Sequence, residues 1–394
     1  MHRIPARLLA LAGTGLLMVG CDAATAPMRQ EASASPEPAA TAVKFWDALA
    51  TVTWNERAAT LLVGRAPVGA AQGTRILAYL SVAQYRAVLA AEAGKERSTH
   101  PSLYAAAAAA SATVLAYFYP GDAGALEAAL AADLAAPSWP GARHQDVAAG
   151  AAIGRAVGAA TVELARSDGF GLLSPGTPPV GTGAWVPSGA PARGLLGVRP
   201  FVLSSDDEIR PPAPPPYGSP AFLDALAEVR AISDTRTPEQ LASAQFWNVT
   251  TAPYGAVYFN QLTTDLIRQH GRKEEEAARI LAYANAAVFD ALIACFDAKY
   301  AYWLIRPSKA DPAITTPLGL PNHPSYPSAH ACIADAFLTV LEDAFPSHRR
   351  EFAETSAQSG VSRILAGLHY RFDVEAGTQI GRDAGRLVLS RGLE

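Results

Sequence analysis

The chain has 394 residues, half of them hydrophobic, and a net charge of −4. That length accommodates two domains, and the balanced charge argues against a nucleic-acid-binding or polybasic membrane surface. Alanine is abundant and β-branched runs are few, so the expected fold class is all-α.

At the N-terminus, Arg3 and Arg7 precede an apolar run from Leu8 to Gly20 that is too short to span a bilayer comfortably. It closes on Met18-Val19-Gly20-Cys21. Small residues ahead of a cysteine resemble a bacterial lipoprotein cleavage site. Residues 1–20 are therefore expected to be a signal peptide and Cys21 the lipidated first residue. The protein would then be exported and held on the membrane by that anchor alone, facing the periplasm or the cell exterior. Residues 21–43, rich in Ala, Ser, Thr, Pro and Glu, read as a flexible tether.

Residues 44–168 form the first expected bundle, with helical periodicity over 73–93, 101–119, 121–136 and 145–167. A Gly/Pro-rich crossover, 169–218, follows; it carries Trp185 and Phe201 and is expected to pack on the surface. The second bundle, 219–394, should hold helices near 219–231, 237–247, 253–271, 273–300, 328–344, 347–366 and 370–391. No run beyond the leader looks long and apolar enough to cross a membrane. Cys295 and Cys332 lie in apolar helical patterns, where a disulfide and two buried thiols are equally compatible with the sequence. No zinc-ligand spacing is present.

The two bundles are a repeat. Phe45-Trp46 returns as Phe246-Trp247, and Arg75-Ile76-Leu77-Ala78-Tyr79 as the identical run from Arg279 to Tyr283. His100-Pro101-Ser102 matches His323-Pro324-Ser325. Asp146, Gly150, Gly154 and Gly158 match Asp373, Gly377, Gly381 and Gly385. Aligning the His-Pro-Ser blocks sets Ser328-Ala329-His330 against Ala105-Ala106-Ala107, so the first copy is expected to keep the scaffold and lack the chemistry. His100, His144, His270 and His348 read as capping or surface residues.

The chemistry lies in three blocks of the second copy. Lys299 and Arg306 are seven residues apart, so on one continuous helix they would share a face about 10 Å apart along the axis, with Pro307 ending that helix. Ser328 is expected at or near a helix N-cap, with Ala329 and His330 in the first turn, where free N–H groups favour an anion. Arg363 adds a planar fork of donors. His369 and Asp373, spaced i, i+4, should share a helix face, the carboxylate holding one ring nitrogen as N–H. Together these residues describe a cationic cup for a tetrahedral oxyanion.

The order Lys-x6-Arg-Pro, Pro-Ser-x-His, Ser-Arg-x5-His-x3-Asp resembles the superfamily that joins type 2 phosphatidic-acid phosphatases to vanadium-dependent haloperoxidases. The doubled bundle and the run from Pro324 to His330 are most similar to the soluble haloperoxidases. The resemblance implies two helical bundles with the site in the C-terminal one. It implies that Lys299, Arg306, Ser328, Ala329 and Arg363 bind phosphate or vanadate oxygens, that His369 is the phosphorylated nucleophile or the vanadium ligand, and that His330 is the acid/base, with Asp373 orienting His369. Ala329 stands where the family has Gly. His323 lies in the neighbourhood where bromoperoxidases have His and the chloroperoxidase Phe, and Phe296 where haloperoxidases have Trp. The expected activity is halide oxidation by peroxide at a His-bound vanadate. A soluble acid phosphatase, needing only its phosphate substrate, comes second, and an oxyanion-binding lipoprotein without turnover third. The expected partner is a small-molecule substrate.

Overall fold

The computed structural model describes residues 49–65, 69–95, 100–135, 146–251 and 256–393. The leader, Cys21, the tether and His144 lie outside them. Thirteen helices and no strands are found among the described residues, as the composition requires. The first copy holds α1 (Ala50–Gly64), α2 (Ala70–Lys95), α3 (Leu103–Phe118), α4 (Ala123–Ala135) and α5 (Val147–Arg166). After the crossover come α6 (Pro220–Thr235), α7 (Pro238–Thr251), α8 (Val257–Gln269), α9 (Glu274–Tyr302), the single turn α10 (Pro307–Ala310), α11 (Ala329–Ala344), α12 (Arg349–Leu365) and α13 (Arg371–Arg391).

Helix α9 is the central element. Glu274, Glu275 and Glu276 occupy its first turn, where their charge suits the dipole, and the Glu276 carboxylate reaches back to the Lys273 N–H. Its alanines let α2, α11 and α13 approach closely, so 22 of its 29 residues are buried. It ends where Trp303 turns left-handed at φ 50°. The two copies meet along α2 and α9, and buried amides and hydroxyls bridge them. Asn285 donates to Ser81 Oγ at 3.1 Å and to Asn260 Oδ1 at 2.9 Å.

Within each copy one helix lies against another through glycines. A Cβ on Gly150, Gly154 or Gly158 of α5 would strike Ser102 O, Ala106 O or Thr113 of α3. A Cβ on Gly377, Gly381 or Gly385 of α13 would strike Ser328 O, Cys332 O or Thr339 of α11. The backbone bonds repeat too: Ser102 N donates to Asp146 O at 3.0 Å and Ser328 N to Asp373 O at 2.8 Å. The structural partner of Ser328 is therefore Ser102. This corrects the alignment on His-Pro-Ser, which set Ser328-Ala329-His330 against Ala105-Ala106-Ala107. Helix packing pairs them with Ser102-Leu103-Tyr104, because the glycine contacts fix the register and the loop ahead of α11 does not.

Two further expectations change. By length and composition alone, α5 and α9 are long and apolar enough to cross a membrane, contrary to the sequence reading. In α9 that apolarity serves the protein core, 94% of its most apolar stretch being buried; in α5 only 28% is. Cys295 and Cys332 are free, buried thiols, the second hydrogen-bonded to the first between α9 and α11.

The crossover is fastened to α9 and to the loop ahead of α11. Asp290 accepts the N–H groups of Phe201, Val202 and Leu203 at 2.8, 2.8 and 3.0 Å. Trp185 N donates to Trp303 O at 2.6 Å, Ile305 N to Gly183 O at 2.9 Å and Ala192 N to Asn322 O at 2.8 Å. Gly194, at φ +58°, lies directly against the ring of Phe296.

Candidate active site

Lys299, Arg306, Ser328, Arg363, His369 and Asp373 are all buried; Lys299, Arg363 and Asp373 lie on α9, α12 and α13, and the other three on the segments between helices. Charged groups this deep persist only when paired or when they serve a ligand.

Lys299 sits in the last turn of α9, but Arg306 does not continue that helix. It is extended (φ −76°, ψ 151°) on the connector beyond Trp303 and caps the turn that Pro307 begins. The shared-face reading of Lys299 and Arg306 is thus overturned, since the left-handed Trp303 turns the chain out of the helix before Arg306 is reached. Proline at the first position of α10 suits it, because that N–H needs no partner. The ammonium of Lys299 donates to the carbonyls of Pro324 and Ser325 at 3.0 and 2.9 Å and to that of Pro327. It clamps the loop ahead of α11 and lends its charge to the site. Burial pulls it down to about 8.

Arg306 Nη1 stands 3.0 Å from His369 Nε2 and 2.9 Å from Leu368 O, while Nη2 stands 3.0 Å from His323 Nδ1. A guanidinium only donates, so His369 Nε2 must be an acceptor; His323 Nδ1 also lies 3.1 Å from the Pro324 carbonyl. His369 Nδ1 therefore carries the proton and gives it to Asp373 Oδ2 at 2.9 Å. His369 lies two residues ahead of α13 and not on it; Asp373, in the first turn, reaches back to it. The expected orientation survives although the shared helical face does not. Burial, then Arg306 and Lys299, hold His369 well below the usual imidazole range, so its Nε2 lone pair persists in mildly acidic solution.

Ser328 occupies the N-cap of α11 but caps nothing: its Oγ is buried without a partner. In the first copy Ser102 Oγ accepts from Ala105 N at 3.2 Å. His330 Nε2 is likewise buried without a partner, while the backbone of Trp247 hydrogen-bonds its ring. Burial, then Arg363 and Arg306, keep His330 well below the imidazole range. Two orphaned polar atoms at the start of α11, with Arg363, Arg306 and Lys299 close enough to act on His330, are what an oxyanion site offers. Ala329 is only partly buried. Phe296 packs edge-on against His323 at 5.3 Å, which brings both pocket candidates to the Arg306 side of the cup.

Residues 278–390 match the family model described as the PAP2 superfamily. The matched stretch runs from α9 into α13 and holds Lys299, Arg306, Ser328, His330, Arg363, His369 and Asp373. A non-specific acid phosphatase of Salmonella typhimurium is 37% identical over 57 residues, 14% of this chain and 23% of that one; its Salmonella typhi counterpart matches equally. The match thus spans less than a quarter of the curated relatives. Among solved structures, a bacterial vanadium-dependent iodoperoxidase superposes with a TM-score of 0.71 at 21% identity, over 87% of this chain and 95% of that one. The apo form of a bacterial vanadium-dependent chloroperoxidase gives 0.67 at 15% identity, over 85% and 96%. These two share the fold of this chain well beyond the stretch that matches the PAP2 model.

Four partners of the candidate site were not legible in the sequence. Arg363 turns its fork toward α7, donating to Ala244 O at 2.8 Å and Asn248 Oδ1 at 3.3 Å. Trp247 closes the repeated Phe-Trp block and Asn248 follows it, and the recurrence of that block signalled scaffold only. Ser325 donates to Asp373 Oδ2 at 2.5 Å, and its place in a repeated His-Pro-Ser block concealed this.

Proposed function

We propose that this protein is a vanadate-dependent haloperoxidase-type enzyme. The observation that carries the reading is the His369 ring, fixed by Asp373 on one side so that its Nε2 lone pair faces Arg306 on the other. The fold shared with vanadium-dependent haloperoxidases over 87% and 85% of this chain supports it.

A vanadate group fits the residues present. Ser328 Oγ and His330 Nε2 need partners, the N-terminus of α11 offers N–H groups beside Ala329, and three cations balance the charge. When bound, it would supply the Lewis-acid centre at which peroxide is activated for oxygen transfer to halide. The protein's own work is binding and proton handling. His369 would hold the group through Nε2 as Arg306 gives up that contact. Arg306, Arg363 and Lys299, all buried, would hold the oxyanion charge with little water to reorganise. His330, neutral and beside the anion, would accept a proton from incoming peroxide and return it to the product. His323 and Phe296 would border the halide approach, and the crossover against Phe296 would keep water out.

The 57-residue likeness to acid phosphatases favours a second reading. There His369 Nε2 attacks phosphorus, the P–O bond to the leaving alcohol breaks, His330 protonates that oxygen, and water then releases phosphate from the histidine. An oxyanion-binding lipoprotein that does not turn over is the third reading, and lipidation at Cys21 with export belongs to the proposal as well.

Purified protein should be assayed with vanadate, peroxide and iodide or bromide, and separately with p-nitrophenyl phosphate. Halide oxidation that needs added vanadate and disappears in His369→Ala is expected. Phosphate-ester hydrolysis without halide oxidation would transfer the assignment to the phosphatase; binding of phosphate by calorimetry with neither activity would leave the non-catalytic reading. Metabolic labelling with palmitate, lost in Cys21→Ser, tests the anchor.

A further inference from the structure

His270 closes α8 and His348 stands at the start of α12, and their Nε2 atoms are 3.0 Å apart. Both backbones are fixed. His270 N–H donates to Leu266 O at 2.9 Å, with Gly271 following at φ +60°, and His348 N–H donates to Phe345 O at 3.0 Å. Both rings lie against aromatic neighbours: His270 is tilted on Phe345 at 5.0 Å and His348 stacked on Phe352 at 5.9 Å. The two imidazole centres are 5.2 Å apart, against 3.0 Å for the nitrogens, so the Nε2 atoms turn inward toward each other. His270 is exposed and His348 half-buried, so the pair is reached from solvent.

Behind His348 stands a carboxylate, with Nδ1 2.8 Å from Glu351 Oε2. A carboxylate only accepts, so Nδ1 carries a proton and the neutral ring keeps its lone pair on Nε2. Metal-ligating histidines use this same support, which fixes the tautomer and the ring. We propose that His270 and His348 form a site for a divalent transition-metal ion of the zinc, nickel or copper class, ligated by both Nε2 atoms and tying the end of α8 to the start of α12. Two nitrogens on one tetrahedral zinc ion, each about 2.0–2.1 Å from it, stand about 3.3 Å apart. The rings need part by only a few tenths of an ångström. Without the ion, His270 donates its Nε2–H to His348; with it, His270 carries that proton on Nδ1, and none leaves the pair. Imidazole suits these ions, whereas magnesium and calcium take oxygen ligands. No group of three or more His, Cys, Asp or Glu among the described residues is placed to hold a metal, so water fills the other positions. Arg272 is the cation that acts on His270 and opposes an ion there. Its charge is already engaged, by Glu276 at 3.0 Å and Ala344 O at 2.7 Å. None of these residues belongs to the oxyanion cup, so the site stands apart from the proposed function.

The test is calorimetry of full-length protein with zinc chloride, with melting temperature read alongside. Wild type should bind one more zinc ion per chain than either His270→Ala or His348→Ala, and its melting temperature should rise with zinc concentration. His100→Ala, which removes an exposed histidine of the other copy, should match wild type. Glu351→Gln, which keeps the shape and loses the charge behind His348, should bind about tenfold more weakly or worse. Magnesium chloride should neither bind at the pair nor displace zinc. Equal zinc stoichiometry in wild type and either histidine variant would overturn the proposal, as would wild type that binds no zinc at sub-millimolar concentration. Should an alanine variant fail to fold, 15N-histidine spectra of wild type decide: zinc must move the Nε2 signals of both His270 and His348, and a shift of one alone would sink the shared ion.

Discussion

Ser102 and Ser328 occupy the same place in two copies of one motif and use their hydroxyls differently. Each is the N-cap of a helix, each donates its N–H to the carbonyl of an aspartate, and each lies under the first glycine of the packing helix, α5 or α13. Ser102 Oγ caps α3; Ser328 Oγ is left buried without a partner. The second copy gives up a cap bond worth about 1 kcal/mol, and a buried hydroxyl without a partner persists where a ligand completes it.

Substitution by alanine should therefore separate the two serines. Ser102→Ala is expected to cost about 1 kcal/mol of stability and leave turnover and phosphate binding as they are. Ser328→Ala is expected to leave the unfolding midpoint near wild type and to weaken oxyanion binding at least tenfold. Denaturant titration and calorimetry with phosphate check both; equal effects of the two variants on binding would refute the distinction.

The helices of the second copy were legible because their signals are local. The spacing of apolar residues, the acidic start of α9 and the prolines of the loop place α9, α11 and α13 within a few residues of where they lie. The site was legible as a set of residue types, since buried lysine, arginine and histidine in one short region have few structural uses. What the sequence concealed depends on contacts between distant segments. Trp303 turns left-handed at φ 50° without being a glycine, so nothing in Lys299-x6-Arg306 reveals that the two leave the helix separately. Asn248 and Ala244 meet Arg363 across more than a hundred positions, and Ser325 meets Asp373 across 48. The repeat register slipped because the eye aligned identical triplets, whereas packing aligns glycines on carbonyls.

That packing supplies a second pair of variants. A Cβ on Gly377 would lie 2.4 Å from Ser328 O, and one on Gly150 2.3 Å from Ser102 O. Each alanine must push its helix outward, at about 1–3 kcal/mol. Gly150→Ala should lower the melting temperature only. Gly377→Ala should also displace the Ser328 turn and with it the oxyanion site, so that turnover falls more than tenfold in protein that is still folded by circular dichroism. Full activity in folded Gly377→Ala would separate this contact from the site.

His330 gives a pH prediction for binding. It is held neutral well below pH 6.5, first by burial and then by Arg363 and Arg306. A bound dianion opposes those charges and favours the imidazolium, so its protonation moves up on binding. Binding must then take up a proton, and affinity for the dianion must rise as pH falls from 8 toward 6. Calorimetry with phosphate in two buffers of different ionisation heat measures the uptake directly. It should be positive in wild type and smaller in His330→Ala; identical uptake in both would place the proton elsewhere.

Glu274 tests how the two copies are held together. From the start of α9 its carboxylate accepts Ala50 N–H at 2.9 Å and Thr51 N–H at 2.8 Å, and also the Thr51 hydroxyl, so it caps α1 of the other copy. Burial nevertheless pushes it from 4.5 up to about 7, the three bonds only partly offsetting the loss of water. Because the folded value lies above the unfolded one, the protonated acid is what folding favours. Its contribution is full below about pH 4.5 and is lost as pH rises through about 7, a change of about 3 kcal/mol. Glu274→Gln keeps the shape and carries no charge at any pH. The stability of wild type relative to Glu274→Gln should therefore fall between pH 5 and pH 8, read from urea midpoints at each pH. A difference that is flat or rises across that window would mean the carboxylate keeps its charge beneath α1 without penalty.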